Sequence, residues 1–237
     1  MDKGKPQDGI VSRYINRPIS RSVTRVLLKF PITPTAWTLM IFVFPIAGAL
    51  AMTRGSYWGF VAGTILYQIH SILDGCDGEI ARAKNLKSVR GRRIDNWCDH
   101  AGTFLMVICL GIGLFRNRTL SDSWQTFYLV EGIAAAILLA ANEIMLGGSG
   151  SESDAESSAL DSTLYPRHRE MMRRSGIPFL DGRVVWWLVQ MTKRDVSLFA
   201  FMLLAIIGWP QWILHLLCLF ALISLVLASK TRFTRAR

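Results

Sequence analysis

Two runs of the chain put carboxylates at three- and four-residue spacing. The first reads Asp74-Gly75-Cys76-Asp77-Gly78-Glu79-Ile80-Ala81-Arg82, and after eight residues the second reads Gly91-Arg92-Arg93-Ile94-Asp95-Asn96-Trp97-Cys98-Asp99. On helices turning about 100° per residue, Asp74, Asp77, Gly78, Ala81 and Arg82 share an arc of about 140°, while Gly91, Asp95 and Asp99 form a second stripe. The short connection makes the two helices antiparallel neighbours, so both stripes can face one cleft. Four carboxylates about 6 Å apart would repel by roughly 3 kcal/mol per pair at an effective dielectric of about 20. Such a group must be partly protonated or filled with cations, and hard oxygen ligands select Mg²⁺, Mn²⁺ or Ca²⁺ over zinc, with four acids suiting a two-ion site. Gly78, Ala81 and Gly91 leave room for a planar base and a diphosphate near the backbone, and Arg82 offers a forked cation for phosphate. A purely structural reading has the acids cap helix ends or pair with Arg82, Arg90, Arg92 and Arg93, but capping does not require glycine and alanine between them. A close helix crossing explains the small residues and not the acids.

The elements that position these residues read as membrane spans. Of the 237 residues 51% are hydrophobic, gathered in long runs, which is a membrane composition. Six stretches approach the length of about 20 residues that a span needs: Thr35 to Thr53, Tyr57 to Leu73, Cys98 to Phe115, Trp124 to Leu146, Asp195 to Trp209 and Gln211 to Ser229. Between them, alternate segments hold 24 of the 27 Lys and Arg residues, against 3 on the other side. That asymmetry predicts both termini and the acid-bearing loop on the cytoplasmic face, and accounts for the basic surplus without nucleic acid as a partner. Tyr57, Trp58, Trp124, Trp209 and Trp212 fall at the opposite, outer ends, where aromatic anchors belong. The cysteines Cys76, Cys98, Cys109 and Cys218 lie in spans or at cytoplasmic ends and read as packing residues. About 34 residues precede the first apolar run, too many for a cleavable leader.

The expected fold class is therefore an all-α integral membrane protein with six transmembrane helices, preceded by an interfacial amphipathic helix. Residues 1–33 form a cytoplasmic N-terminal segment and residues 34–237 the six-helix membrane domain. In the first segment Ile19, Val23, Val26, Leu27 and Phe30 recur at helical spacing, with Arg21, Arg25 and Lys29 in a row on another face. Two readings stand side by side, an anchor to anionic lipid and a substrate-contacting element. Residues 147–163 are rich in Gly, Ser and acids and predict a flexible cytoplasmic linker; residues 165–194 return to a basic, Trp-containing segment that rests on the membrane surface or covers the site.

The acid runs match DxxDGxxAR(x8)GxxxDxxxD at every fixed position, and in this the chain closely resembles the CDP-alcohol phosphotransferase (CDP-alcohol phosphatidyltransferase) family. The resemblance implies transfer of a substituted phosphate from a CDP-alcohol to an alcohol acceptor, with release of CMP and two bound Mg²⁺ or Mn²⁺ ions. It implies Asp74, Asp77 and Asp95 as metal ligands, Asp99 as the base and a further ligand, and Gly78, Ala81, Arg82 and Gly91 around the CMP moiety. Thr33-Pro34-Thr35 resembles the family's TPN segment, with Thr38 matching a further Thr on the donor side; Thr35 stands where Asn is usual. The family also implies a homodimer in the lipid bilayer. A narrower likeness, to the membrane domains of di-myo-inositol phosphate phosphate synthases and phosphatidylinositol phosphate synthases, is carried by Asp8-Gly9-Ile10-Val11-Ser12-Arg13, Asn16-Arg17 and Arg194-Asp195-Val196. It implies CDP-inositol or CDP-diacylglycerol as donor and a polyol phosphate such as inositol phosphate as acceptor. A phosphorylated acceptor needs arginines other than Arg82, and Arg194 at a span end is the first expectation, before Arg173 and Arg174. The alternatives are a CDP-diacylglycerol-dependent phospholipid synthase using glycerol phosphate or another alcohol, and a six-span ion or metal transporter.

Overall fold

The computed structural model describes residues 9–117, 122–147 and 193–235, and among these every element is helical. A π-helical turn, Ser12–Asn16, runs into α1 (Arg17–Leu27). Then follow α2 (Pro34–Ile41), α3 (Val43–Met52), α4 (Tyr57–Ala83), α5 (Val89–Phe115), α6 (Asp122–Gly147), α7 (Arg194–Ile207) and α8 (Gln211–Arg235). Local chemistry sets several boundaries. Thr33, Ser56 and Ser88 are extended residues whose hydroxyls accept from the N–H groups of Ala36, Gly59 and Gly91, starting α2, α4 and α5. Pro34 occupies the first position of α2, where its missing N–H costs nothing. Gly208, at φ 90°, closes α7 in the left-handed region. The first predicted span is two helices, because Pro45 has no N–H to offer the Ile41 carbonyl and the rod breaks at Phe42.

α4 is the central strut, packing against α1, α2, α3 and α7, while α5 packs on α3 and α6, and α6 on α8. Met52, Phe60, Tyr67, Met106, Val107, Leu110, Leu114, Phe201, Ile213 and Leu214 fill the core between them. Gly111 of α5 faces Gly132 of α6 so closely that a Cβ on either would come within 3.2 Å of the other's Cα. Small residues permit this approach of two apolar helices, whose attraction in lipid is close packing.

Three stretches are long and apolar enough to cross a membrane: Pro34–Met52, Val89–Phe115 and Ser123–Asn142. The other predicted spans are also helical, α4, α7 and α8. The outward surface of the helices is apolar, with Leu39, Val43, Leu50, Ile133, Ile137 and Val226 each more than half exposed. The aromatic anchors Tyr57, Trp58, Trp124, Trp209 and Trp212 are all exposed as well. Together these faces fit a hydrocarbon environment. On α1 the exposed apolar residues are Ile19 and Val26, with Phe30 just beyond; the inward side mixes buried Ser20 and Thr24 with Leu27 and Val23, which pack with Cys76 and Ile80 of α4, so two residues of the expected lipid-facing stripe face the protein instead. The linker expected at 147–163, apart from Gly147 at the end of α6, and the segment at 165–194 up to residue 192, with Arg173 and Arg174, lie outside the described residues.

Candidate active site

α4 and α5 both run past the apolar stretches toward the connection at residues 84–88, and the acids ride on those extensions. Trp37 Nε1 donates to the Leu73 carbonyl at 3.0 Å and Lys84 Nζ to the Phe30 and Ile32 carbonyls at 2.7 and 3.1 Å, so the start of α2 is tied to α4 on both sides of the motif. One carboxylate oxygen from each of Asp74, Asp95 and Asp99 lies within 4.8 Å of the others. Asp77 is an electrostatic neighbour of Asp95 in the same group. Its Oδ2 accepts from Thr38 Oγ1 at 2.8 Å, and its Oδ1 is turned onto the Gly78 N–H. Thr38, expected at the donor, is 2% exposed, and its hydroxyl orients a member of the cluster.

Among the described residues, one cation is paired with this group. Arg194, the first residue of α7, contacts Asp99 Oδ2 through Nη1, and the same nitrogen is 3.8 Å from Asp74 Oδ2. Its Nη2 lies 3.3 Å from Nδ1 of His70. A guanidinium has only donors, so Nδ1 accepts and the imidazole proton sits on Nε2. One guanidinium does not neutralise four carboxyls. Asp74 Oδ1, Asp95 Oδ1 and Asp99 Oδ1 are buried without a hydrogen-bond partner, and each such atom costs about 1–3 kcal/mol, more when charged. Three carboxylates that come within 4.8 Å of one another, each with an orphaned oxygen, form a donor set that fits Mg²⁺ or Mn²⁺. Asp74, Asp77, Asp95 and Asp99 are the residues that could hold such ions.

The small residues border the same cleft. Arg82 Nη1 lies 3.4 Å from where a Cβ on Gly78 would be, so the Arg82 side chain covers Gly78. At Gly91 a Cβ would come 2.9 Å from Ser88 Oγ and 3.3 Å from Thr35 Oγ1. Thr35 thus lies beside the start of α5, and Ala81 sits half-buried two residues before the end of α4. Arg194 joins the acids as the spacing of a span-end arginine allows, whereas the sequence reading missed His70. A histidine in an apolar run, one turn before Asp74, was the available signal; it is 1% exposed.

The CDP-alcohol phosphatidyltransferase family model matches residues 31–157, more than half of the chain, and spans Thr38 and all four acids. The chain belongs to this family. Membership classes it as a membrane transferase, and the convergent acids are where the family match and the geometry coincide. This CDP-alcohol phosphatidyltransferase family member is similar to proteins named bifunctional IPC transferase and DIPP synthase. The one from Archaeoglobus fulgidus is 37% identical over 114 residues, 48% of this chain and 22% of that protein. The one from Thermococcus kodakarensis is 39% identical over 103 residues, 43% and 23% of the two chains. The Aquifex aeolicus protein is 26% identical over 221 residues, covering 93% of this chain and 43% of the relative. The chain therefore spans less than half the length of these relatives.

Proposed function

We propose that this protein transfers a substituted phosphate from a CDP-alcohol donor to an alcohol acceptor and releases CMP, at the cytoplasmic mouth of the α4–α5 cleft. The observation that carries the reading is the convergence of Asp74, Asp95 and Asp99 within 4.8 Å, each with an orphaned oxygen, on the family's own motif. Asp74, Asp77 and Asp95, with Asp99, hold two divalent ions, Mg²⁺ or Mn²⁺. Bound there, the ions supply positive charge for the donor diphosphate and the departing CMP. Thr38 keeps Asp77 turned into the cluster. Gly78, Ala81 and Gly91 leave the donor space against the backbone, and Arg82 takes a phosphate oxygen.

Asp99 takes the proton of the acceptor hydroxyl. Its Oδ2 is held by Arg194 while Oδ1 has no partner, so one oxygen fixes the carboxylate and the other is open to the proton. The acceptor oxygen forms its bond to the donor's distal phosphorus as the bond from that phosphorus to the CMP oxygen breaks, and CMP leaves with the electron pair. Catalysis is chiefly positioning and charge stabilisation. Arg194 stands beside the base, where an acceptor's own phosphate would be gripped, ahead of Arg173 and Arg174. The names of the relatives, together with the Asp8–Arg13 and Arg194–Val196 segments, favour CDP-inositol as donor and inositol phosphate as acceptor. Six spans, cytoplasmic termini and a homodimer complete the proposal. The four motif acids sit on two helices beside one connection, which favours chemistry there over a transport path.

The test uses purified protein in nanodiscs with Mg²⁺, offered labelled CDP-inositol or CDP-diacylglycerol and, in turn, inositol phosphate, glycerol phosphate and free alcohols. CMP release from CDP-inositol with inositol phosphate is the expected result. Release from CDP-diacylglycerol alone would make the protein a phospholipid synthase, and no CMP from either donor, together with metal-dependent ion flux in sealed proteoliposomes, would make it a transporter. Arg194→Ala is expected to raise acceptor KM severalfold with donor affinity kept, and Arg194→Lys to recover only part, because a point charge lacks the fork.

A further inference from the structure

The start of the N-terminal helix and the start of α7 meet at a contact that the proposed chemistry does not use. Asp195 Oδ2 accepts a hydrogen bond from the Ser12 backbone N–H at 2.6 Å, across 183 residues of sequence. Ser12 lies in the first turn of its helix, where N–H groups have no acceptor inside the helix, and the Gly9 carbonyl closes that turn by accepting from the Arg13 N–H at 3.0 Å. Asp195 thus caps this helix from another one, with its charge facing the positive helix end. The fit leaves no slack: a Cβ on Gly9 would overlap both carboxylate oxygens of Asp195.

Farther along, the same helix grips α4. Gln68 Nε2 donates to Asn16 Oδ1 at 3.0 Å and Asn16 Nδ2 to Ser71 Oγ at 3.3 Å. Arg17, Ser20 and Thr24 then converge on Glu79. One rigid element is therefore fastened at one end to α7, which carries Arg194, and along its length to α4, which carries Asp74 and Asp77. Asp195 is the residue next to Arg194, so whatever fixes the Asp195 carboxylate also fixes where the guanidinium leaves the backbone.

The geometry points to Asp195 as a positioning residue: by capping the N-terminal helix at Ser12 it locks the first turn of α7 and sets the Arg194 guanidinium beside Asp99 for the acceptor phosphate. This rests on the acceptor role given to Arg194 above.

The experiment measures acceptor KM, donor KM, kcat and melting temperature for the full chain in nanodiscs. It compares the wild type with Asp195→Ala, Asp195→Asn, Gly9→Ala, Arg194→Ala and the Asp195→Ala/Arg194→Ala double variant. Asp195→Ala is expected to raise acceptor KM by roughly threefold to tenfold while donor KM moves by less than about twofold. Gly9→Ala displaces the same carboxylate from the other side and is expected to do likewise; it carries the test if Asp195→Ala fails to insert. Asp195→Asn keeps an oxygen for the Ser12 N–H and restores acceptor KM to within about twofold of wild type. In the Arg194→Ala background, Asp195→Ala adds no further rise. A fall in melting temperature with acceptor KM unchanged, while Arg194→Ala does raise it, would reduce Asp195 to a structural cap and overturn the inference, as would effects that multiply in the double variant. If Arg194→Ala itself leaves acceptor KM unchanged, the acceptor reading falls and the positioning role falls with it.

Discussion

Glu79 and Asp74 are carboxylates five residues apart on α4, both largely buried at 11% and 25% side-chain exposure, yet their surroundings differ in kind. Glu79 turns toward α1, where Oε1 accepts from Ser20 at 3.0 Å and Arg17 at 3.4 Å and Oε2 from Thr24 at 2.7 Å. Both of its oxygens are satisfied by the protein. Asp74 turns toward α5, where it, Asp95 and Asp99 each keep a buried oxygen with no partner. A saturated carboxylate fastens helices; a set of unsaturated ones has lone pairs that only protons or cations can meet. The contrast sets Glu79, an acid met by the protein at both oxygens, apart from Asp74, a proposed metal ligand, inside a single nine-residue motif.

The largest effect is expected in the proposed metal cluster, which includes Asp77 although Thr38 and the Gly78 N–H meet its two oxygens. Asp77→Asn or Asp95→Asn removes a charged ligand from the shared cluster and should lower turnover on the order of 10³-fold or more, read as initial CMP release. Retained activity in either would break the comparison at its root. Asp99→Asn should lower kcat on the order of 10²-fold or more while donor binding, measured by competition with CMP, is largely kept. Weakened donor binding with kcat intact would remove Asp99 from the base role.

Glu79→Gln sharpens the contrast from the other side, because the loss should appear as stability rather than rate. A drop of about 1–3 kcal/mol is expected for a buried acceptor set left poorly matched, read as a lower melting temperature with turnover at low temperature within about twofold of wild type. A collapse in turnover of the still-folded variant would place Glu79 among the functional acids. The smallest effect belongs to His70→Phe, which keeps the shape but gives Arg194 no lone pair. Arg194 retains Asp99, so a rise in acceptor KM of only about twofold to threefold is expected, and His70→Asn, which offers an oxygen, should reverse it.

Helical periodicity alone was enough to bring Asp74, Asp77, Asp95 and Asp99 to one cleft, because i, i+3 and i+4 spacing fixes a face before any partner is known. What periodicity does not specify is which distant element covers a face. Ser20 and Thr24 carried no sequence signal as partners of Glu79, since the apolar stripe of α1 drew the reading to its lipid side. Asp195 as a cap for Ser12 was hidden for the same reason: a capping side chain is sought beside the helix it caps, and this one comes from the far end of the chain. Pro45 was visible, but the apolar run around it masked the break at Phe42.

The central claim is that the unsaturated face of α4 and α5 holds divalent ions, and Mn²⁺ titration of the purified protein followed by electron paramagnetic resonance tests it without requiring turnover. The expected result is two Mn²⁺ ions bound per chain in the wild type and in Glu79→Gln, with fewer ions and weaker affinity in Asp95→Asn. Equal Mn²⁺ binding by the wild type and Asp95→Asn would contradict it.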